Sequence, residues 1–359
     1  MGCPVGGFDM PVAAITIADD IRRSALKQLL KIPHARAAFI SPSKRIPIAQ
    51  IGCVTMAFLA AALQPILALS LGAALFGVPH VVSGARHLAV RRALHPLCRA
   101  MAVVTAGLGL LLLLGFGRWT IQAITVCFAA CVGAEITTAP GSVFRRASLL
   151  TVLAAATLAA LRFHVLFLVA VTHLHAVGSI AFFAVAARRR GVSALPIVVG
   201  GIVVAVLVLS GLVDGLLQSP EWARSFGPDA VVDLLGAPFV WVSHSLLQRS
   251  LALYAFGQSL HYMVWLRLMP EIDRKTPTPS SFRRAFHSLK QDFGSWTLPI
   301  LGLCVVSCTA MLFGGQPARE AYFALAYFHI GLEGAGLTRA VLRRRERPIG
   351  AFPAADLGG

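Results

Sequence analysis

Histidines stand inside strongly apolar stretches of this sequence, where an imidazole is an unusual residue. They occur in the segments FGVPHVVSGARHLAV (76–90), VTHLHAVGS (171–179), GQSLHYMVW (257–265) and YFHIGLEGAG (327–336). A polar or ionisable side chain within a membrane-spanning segment is costly, and it usually faces the interior of the bundle and serves a function. Because neutral imidazole is the commonest metal ligand in proteins, the pattern predicts an intramembrane metal site.

The candidate metal ligands are therefore histidines from several segments. His80 and His87 are seven residues apart and share a helical face, whereas His173 and His175, two residues apart, cannot point the same way on one helix. One of that pair is expected to face the interior and the other a neighbouring helix. Four segments carry a histidine at similar depth, which predicts that these side chains converge. The full set of candidates is His80, His87, His173, His175, His244, His261 and His329.

Three further side chains are candidate catalytic groups. Glu333 lies four residues after His329, so both side chains can reach one ion, or the carboxylate can orient the imidazole. Gln258 lies on the same predicted helical stripe as His261, and Tyr262 follows that histidine directly. The stripe also contains aromatic residues, which are typical of core packing. Gln258 and His261 are polar residues within this stripe, and they favour a functional site over simple packing.

The composition predicts the fold class. Hydrophobic residues make up 57% of the chain, charged residues only 13%, and the mean hydropathy is +0.75, against about 45–50% and about 25% in soluble domains. We therefore expect an all-α, polytopic transmembrane helix bundle of about eight to ten spans. The predicted organisation is a basic cytoplasmic N-terminal segment (1–45), a transmembrane domain (46–342) with a cytoplasmic loop (268–295), and a cytoplasmic tail (343–359).

The net charge of +17 comes from short Lys and Arg clusters between the apolar runs. This distribution follows the positive-inside rule and predicts an integral protein of a bacterial inner membrane with both termini in the cytoplasm. Nucleic acid is excluded as a partner because the chain has no basic domain and no aromatic platform. The expected partners are the lipid bilayer, a hydrophobic small-molecule substrate and a soluble electron donor that could dock on the basic face. Ordinary topology signals explain the same charge equally well.

One segment resembles a known family. FGVPHVVSGARH (76–87) is similar to the histidine segment of the Brp/Blh family of membrane β-carotene dioxygenases, with Val81 where that family carries glycine. Members of the family place histidines on several transmembrane helices, depend on iron and cleave β-carotene to retinal. The resemblance implies that His80 is a ligand and that His173 or His175 matches a ligand on a later helix.

The favoured function is an integral-membrane non-haem oxygenase, or a related oxidoreductase, that acts on a lipid-soluble substrate. Several imidazoles with few carboxylates suit iron, with copper or zinc as alternatives, better than magnesium or calcium. The sequence lacks the HxxxH and HxxHH boxes of membrane desaturases. The alternative is a proton- or metal-coupled transporter in which the same histidines would relay protons or bind a transition-metal ion in transit. A haem-b electron carrier is less favoured because no two helices carry histidine pairs about four turns apart.

Overall fold

The computed structural model describes residues 10–90, 94–113, 117–216, 244–274, 281–313 and 315–342, and the regular elements within these ranges are all helical. This confirms the predicted all-α class. The helices are α1 (Met10–Leu29), α2 (Pro33–Ile40), α3 (Pro42–Leu63), α4 (Pro65–Gly72), α5 (Val78–Ala85), α6 (Pro96–Leu113), α7 (Gly117–Thr137), α8 (Val143–Arg162), α9 (His164–Arg189), α10 (Leu195–Leu209), α11 (His244–Met263), α12 (Met269–Ile272), α13 (Phe282–Phe293), α14 (Thr297–Phe313) and α15 (Gly315–Leu342).

Prolines define several of the helix starts. Pro42 and Pro65 stand in the first turn of α3 and α4, where a missing N–H costs nothing and a fixed φ favours the helix. Gln64, between these two helices, has φ −150° and ψ 69° and interrupts the helical path. The apolar run over residues 47–69 is therefore divided at Gln64, and its last residues belong to the next helix.

Four helical stretches in the described part of the chain are long and apolar enough to cross a membrane. They are Pro42–Leu63, Pro65–Leu88, Val143–Arg162 and Phe282–Ala310. Their outer faces carry large apolar side chains, for example Val152 and Leu158, which are 67% and 68% exposed. Water would solvate such surfaces poorly, whereas lipid would accept them. The eight to ten spans expected from the sequence would also include described helices that are shorter or less apolar than these four stretches.

Two helices organise the core. Helix α11 packs against α3, α4 and α9, and helix α15 packs against α6, α7 and α9. Helix α5 contacts α15 and the turn that follows α11. The four helices that carry the histidines of the apolar segments, α5, α9, α11 and α15, are therefore neighbours. Large side chains such as Phe182, Phe183 and Trp265 fill the space between them and are fully buried.

Three π-helical turns adjoin these histidine-bearing segments. Ala73–Gly77 and Arg86–Val90 flank α5, and Val264–Leu268 follows α11. A π turn contains more residues than an α turn, so side chains beyond it are rotated relative to their α-helical positions, and such turns are frequent at functional sites. The turn at Arg86–Val90 contains His87.

The polar insertion expected as the loop 268–295 is largely helical where the structure describes it. It contains α12 and the amphipathic helix α13, and a 3₁₀ turn at Gly294–Trp296 leads directly into α14. Helix α13 packs on α1, because the Asp19 carboxylate accepts hydrogen bonds from the backbone N–H groups of Phe282 and Arg283. Residues 275–280 and the expected tail (343–359) lie outside the described residues.

Candidate metal centre

Four buried imidazoles meet at one point inside the bundle. They come from His80 on α5, His175 on α9, His261 on α11 and His329 on α15, and one ring nitrogen of each lies within 4.8 Å of the others. The ring centroids of His175 and His261 are 4.1 Å apart, and those of His80 and His329 are 4.7 Å apart. We call these four side chains the histidine cluster. Four imidazoles from four helices can act together only because those helices are neighbours.

The backbone selects one tautomer of His80. Its Nδ1 lies 3.1 Å from the carbonyl oxygen of Phe76, one helical turn earlier. A carbonyl can only accept, so Nδ1 carries the proton and Nε2 keeps its lone pair. Within the described residues the buried Nε2 has no hydrogen-bond partner. Metal-binding histidines commonly donate their other ring N–H to a backbone carbonyl in this way.

Glu333 supplies the carboxylate of the cluster. Its Oε2 lies 2.8 Å from His175 Nδ1, and its Oε1 lies 3.1 Å from His329 Nε2 and 3.8 Å from His261 Nδ1. The side chain is only 7% exposed. The expected pairing of His329 with Glu333 on one helical face is present, and His175 joins it from another helix. The contact with Nδ1 of His175 leaves the Nε2 atom of that ring for an ion.

Trp265 also contacts the Glu333 carboxylate. Its fully buried indole N–H donates a hydrogen bond to Glu333 Oε1, and its ring stacks on Phe182 with centroids 5.4 Å apart. The sequence pattern includes Trp265 in the polar-aromatic stripe, but there the residue is indistinguishable from core packing. Gly84 also lies beside the cluster, against His329, and nothing in the local pattern marks it. Both residues can therefore be identified as part of the site only from the tertiary structure.

The two other candidate catalytic side chains lie next to the cluster. The centroid of the Tyr262 ring is 4.7 Å from that of the His80 ring. The Tyr262 hydroxyl oxygen is 3.0 Å from the hydroxyl oxygen of Tyr322 on α15. Gln258, one turn earlier on α11, hydrogen-bonds to both phenols. The tyrosine pair and the amide form a buried polar group beside His80. Tyr322 was not among the residues expected from the sequence.

The structure does not bring every candidate ligand to the cluster. His87 instead lies beside Asp273, with 3.2 Å between its Nδ1 and Oδ2. It is seven residues from His80, which places it about 10 Å further along the helix axis. The His173 ring packs against that of Tyr254, with 5.4 Å between the ring centroids, since a two-residue separation from His175 turns His173 to another side of α9. His244 begins α11, and its side chain lies outside the described residues.

The donor set fits a transition-metal ion. Imidazole nitrogen suits iron, copper and zinc, whereas magnesium and calcium require more oxygen ligands than this cluster offers. The buried ring nitrogens that lack a hydrogen-bond partner within the described residues include His80 Nε2, both nitrogens of His261 and Nδ1 of His329. An unsatisfied buried polar atom is costly, and a bound cation would satisfy several of these atoms together.

No family model, no curated protein and no solved structure matches this chain. The resemblance of residues 76–87 to the Brp/Blh family therefore stays a prediction.

Proposed function

We propose that this protein is an integral-membrane metalloenzyme that binds iron at His80, His175, His261 and His329 and oxidises a lipid-soluble substrate. The observation that carries the proposal is the meeting of four buried imidazoles from four helices within 4.8 Å. Chance packing would leave each histidine hydrogen-bonded to its own surroundings. Here the unsatisfied ring nitrogens lie together.

Iron is favoured among the ions that imidazoles bind, with copper or zinc as alternatives. A bound iron ion would supply the one-electron redox chemistry that O2 activation requires. Oxidation of a hydrophobic molecule is favoured over transport because the cluster is closed, with His80, His261 and His329 at most 1% exposed. The Brp/Blh resemblance of residues 76–87 points to the same class of oxygenase.

The protein's own side chains would each have a defined task. The Phe76 carbonyl keeps the proton of His80 on Nδ1, and Glu333 orients His175 through its Nδ1. Tyr262, with Gln258, offers a phenolic O–H beside His80 that can donate a hydrogen bond or a proton to an oxygen of the substrate. The surrounding apolar helices exclude bulk water from these groups.

The proposed setting is a bacterial inner membrane crossed by about eight to ten helices. The end of the bundle that carries Arg188, Arg189, Arg190 and Arg267 would face the cytoplasm, together with both termini, because Lys and Arg are retained on that side. A lipid-soluble substrate would then reach the cluster laterally from the hydrocarbon core.

Elemental analysis of the purified protein tests the proposal. In mild detergent the wild type should contain near-stoichiometric iron and show no haem Soret band. His175→Ala should lose most of this iron, while His173→Ala, its matched control two residues away on the same helix, should retain it. Equal metal contents in the two variants, or a wild type without metal after loading with Fe(II), Cu(II) or Zn(II), would refute the metal site.

A further inference from the structure

A continuous route of buried side chains leads from the histidine cluster to the Arg-rich end of the bundle. The Trp265 ring lies 5.7 Å from the His329 ring on one side and 6.3 Å from the His87 ring on the other, measured between centroids. His87 Nδ1 then lies 3.2 Å from Asp273, whose carboxylate is 3.5 Å from Arg190. Exposure rises along this route, from 0% at Trp265 and 3% at His87 to side-chain values of 24% at Asp273 and 46% at Arg190.

The chemistry of Trp265 decides what the route can carry. An indole N–H donates a hydrogen bond but has no acceptor atom, so it cannot receive a proton from one side and pass it to the other. Its N–H is moreover engaged with Glu333. Its π system, by contrast, lies between two imidazole rings and stacks on Phe182. This arrangement blocks a proton relay but provides a short aromatic path for an electron.

The surface at the outer end of the route suits an acidic partner. Helix α9 ends there with Arg188 and Arg189, and Arg190 follows directly. All three are exposed, on a chain with a net charge of +17. Complementary charge raises the rate at which a soluble partner reaches such a face. The buried end of the same route touches the histidine cluster through His329.

We propose that His87 and Trp265 conduct an electron to the histidine cluster from an acidic, soluble one-electron carrier protein docked at Arg188–Arg190. The inference rests on the proposed function, because it requires a redox-active ion in the cluster. One electron would leave the reduced carrier, which becomes oxidised, and would pass to an oxidised iron ion held by the histidine cluster. No covalent bond forms or breaks, and no proton needs to move along the route. The carrier would thereby keep the bound ion in its reduced state.

Anaerobic stopped-flow mixing tests the route, with reduced plant-type ferredoxin as the probe and the iron-loaded, oxidised protein in detergent. Freeze-quench EPR measures the loss of the ferric signal per bound iron. Trp265→Phe keeps an aromatic ring but loses the N–H, whereas Trp265→Gln keeps an N–H donor for Glu333 but loses the ring. Trp296→Gln, at a residue that is 70% exposed and absent from the route, is the matched control.

The two variants of Trp265 separate conduction from a purely structural role. Conduction predicts that the Gln variant slows reduction by about an order of magnitude and that the Phe variant remains the faster of the two. Hydrogen bonding to Glu333 alone predicts the reverse order. Trp265→Gln reducing as fast as wild type, or faster than Trp265→Phe, would overturn the proposal while the measured iron content still supports the metal site.

The docking face has its own variant. At low ionic strength, Arg188→Glu should slow reduction by ferredoxin by about an order of magnitude. Added salt should bring the reduction rates of the variant and the wild type closer together, because it screens the charges. Arg162→Glu is the matched control, because Arg162 is exposed at the opposite end of the α8–α9 hairpin. Equal rates for these two variants would show that the carrier does not dock at Arg188–Arg190.

Discussion

Gly84 on α5 lies directly against the imidazole of His329 on α15. A Cβ atom placed at Gly84 would stand 2.7 Å from His329 Nδ1, closer than side-chain atoms are found in proteins. The missing side chain therefore allows α15 to approach α5 closely enough for His329 to join the cluster. The same glycine lies one turn after His80, so a single helical face supplies both a ligand and the space for another.

Gly84→Ala should weaken metal binding. The added methyl group must displace His329 or separate the two helices, and disturbance of a group that supports a ligand typically costs about 10- to 100-fold in metal affinity. Chelator competition against the iron-loaded protein measures the change. Gly331→Ala on α15, where nothing lies within 4 Å of the added atom, is the control. Equal affinities for the two variants would contradict the close contact.

Glu333→Gln should weaken metal binding by a similar factor, about 10- to 100-fold. The amide keeps the size of the side chain but removes the negative charge that stands among three imidazoles and stabilises a nearby cation. Equilibrium dialysis with Fe(II) measures the effect. An unchanged dissociation constant would mean that the carboxylate neither orients His175 nor contributes charge to the site.

Glu271→Gln should destabilise the protein without touching the cluster. Its carboxylate is 3% exposed and pairs with Arg45, Arg267 and Arg274, the last two at 2.6 and 2.8 Å. Removing one partner of a buried ion pair costs about 3–5 kcal/mol, because the remaining charges are left buried. Denaturant unfolding in detergent measures the loss of free energy.

The matched control for Glu271 is Asp20→Asn. Asp20 belongs to an exposed pair with Arg23 and is 67% exposed, and such pairs contribute about 0–1 kcal/mol. The iron content of the folded Glu271→Gln protein should stay at the wild-type value. A loss no larger than that of Asp20→Asn would contradict the buried network.

The contact between α1 and α13 should weaken in acid. Burial alone would raise the pKa of the Asp19 carboxyl, but the amides of Arg283 and Phe282 and the Arg22 guanidinium outweigh it and lower that pKa. A lowered folded-state pKa means that the stabilisation is complete above the unfolded pKa, about 4, and is lost as the pH falls through the folded value. The protection factors of the α1 amides, which correct hydrogen exchange for its intrinsic pH dependence, should therefore fall below about pH 4.

Asp19→Asn provides the control for this pH dependence. The amide carries no titratable charge, so the α1 amides of this variant should have lower protection factors at neutral pH, and these should change little further in acid. Wild-type protection factors that stay constant down to about pH 2 would exclude the Asp19 contact as the anchor of α1.

The local properties of the chain could be predicted from the sequence alone. Apolar runs predict helices, and the histidines fall at similar depth within four of them. Likewise, His329 and Glu333 share a face because the helical repeat relates residues four apart whatever surrounds the helix. These features depend on sequence neighbours only, and the structure agrees with each of them.

Tertiary packing decided the composition of the cluster. A two-residue spacing shows that His173 and His175 diverge, but only the contacts of α9 with α11 and α15 turn His175 inward. In the same way, Trp265 and Gly84 acquire their roles from partners far away along the chain. The helical period determines relative directions within one helix, whereas the rotation of each helix about its axis is determined by the neighbours against which it packs.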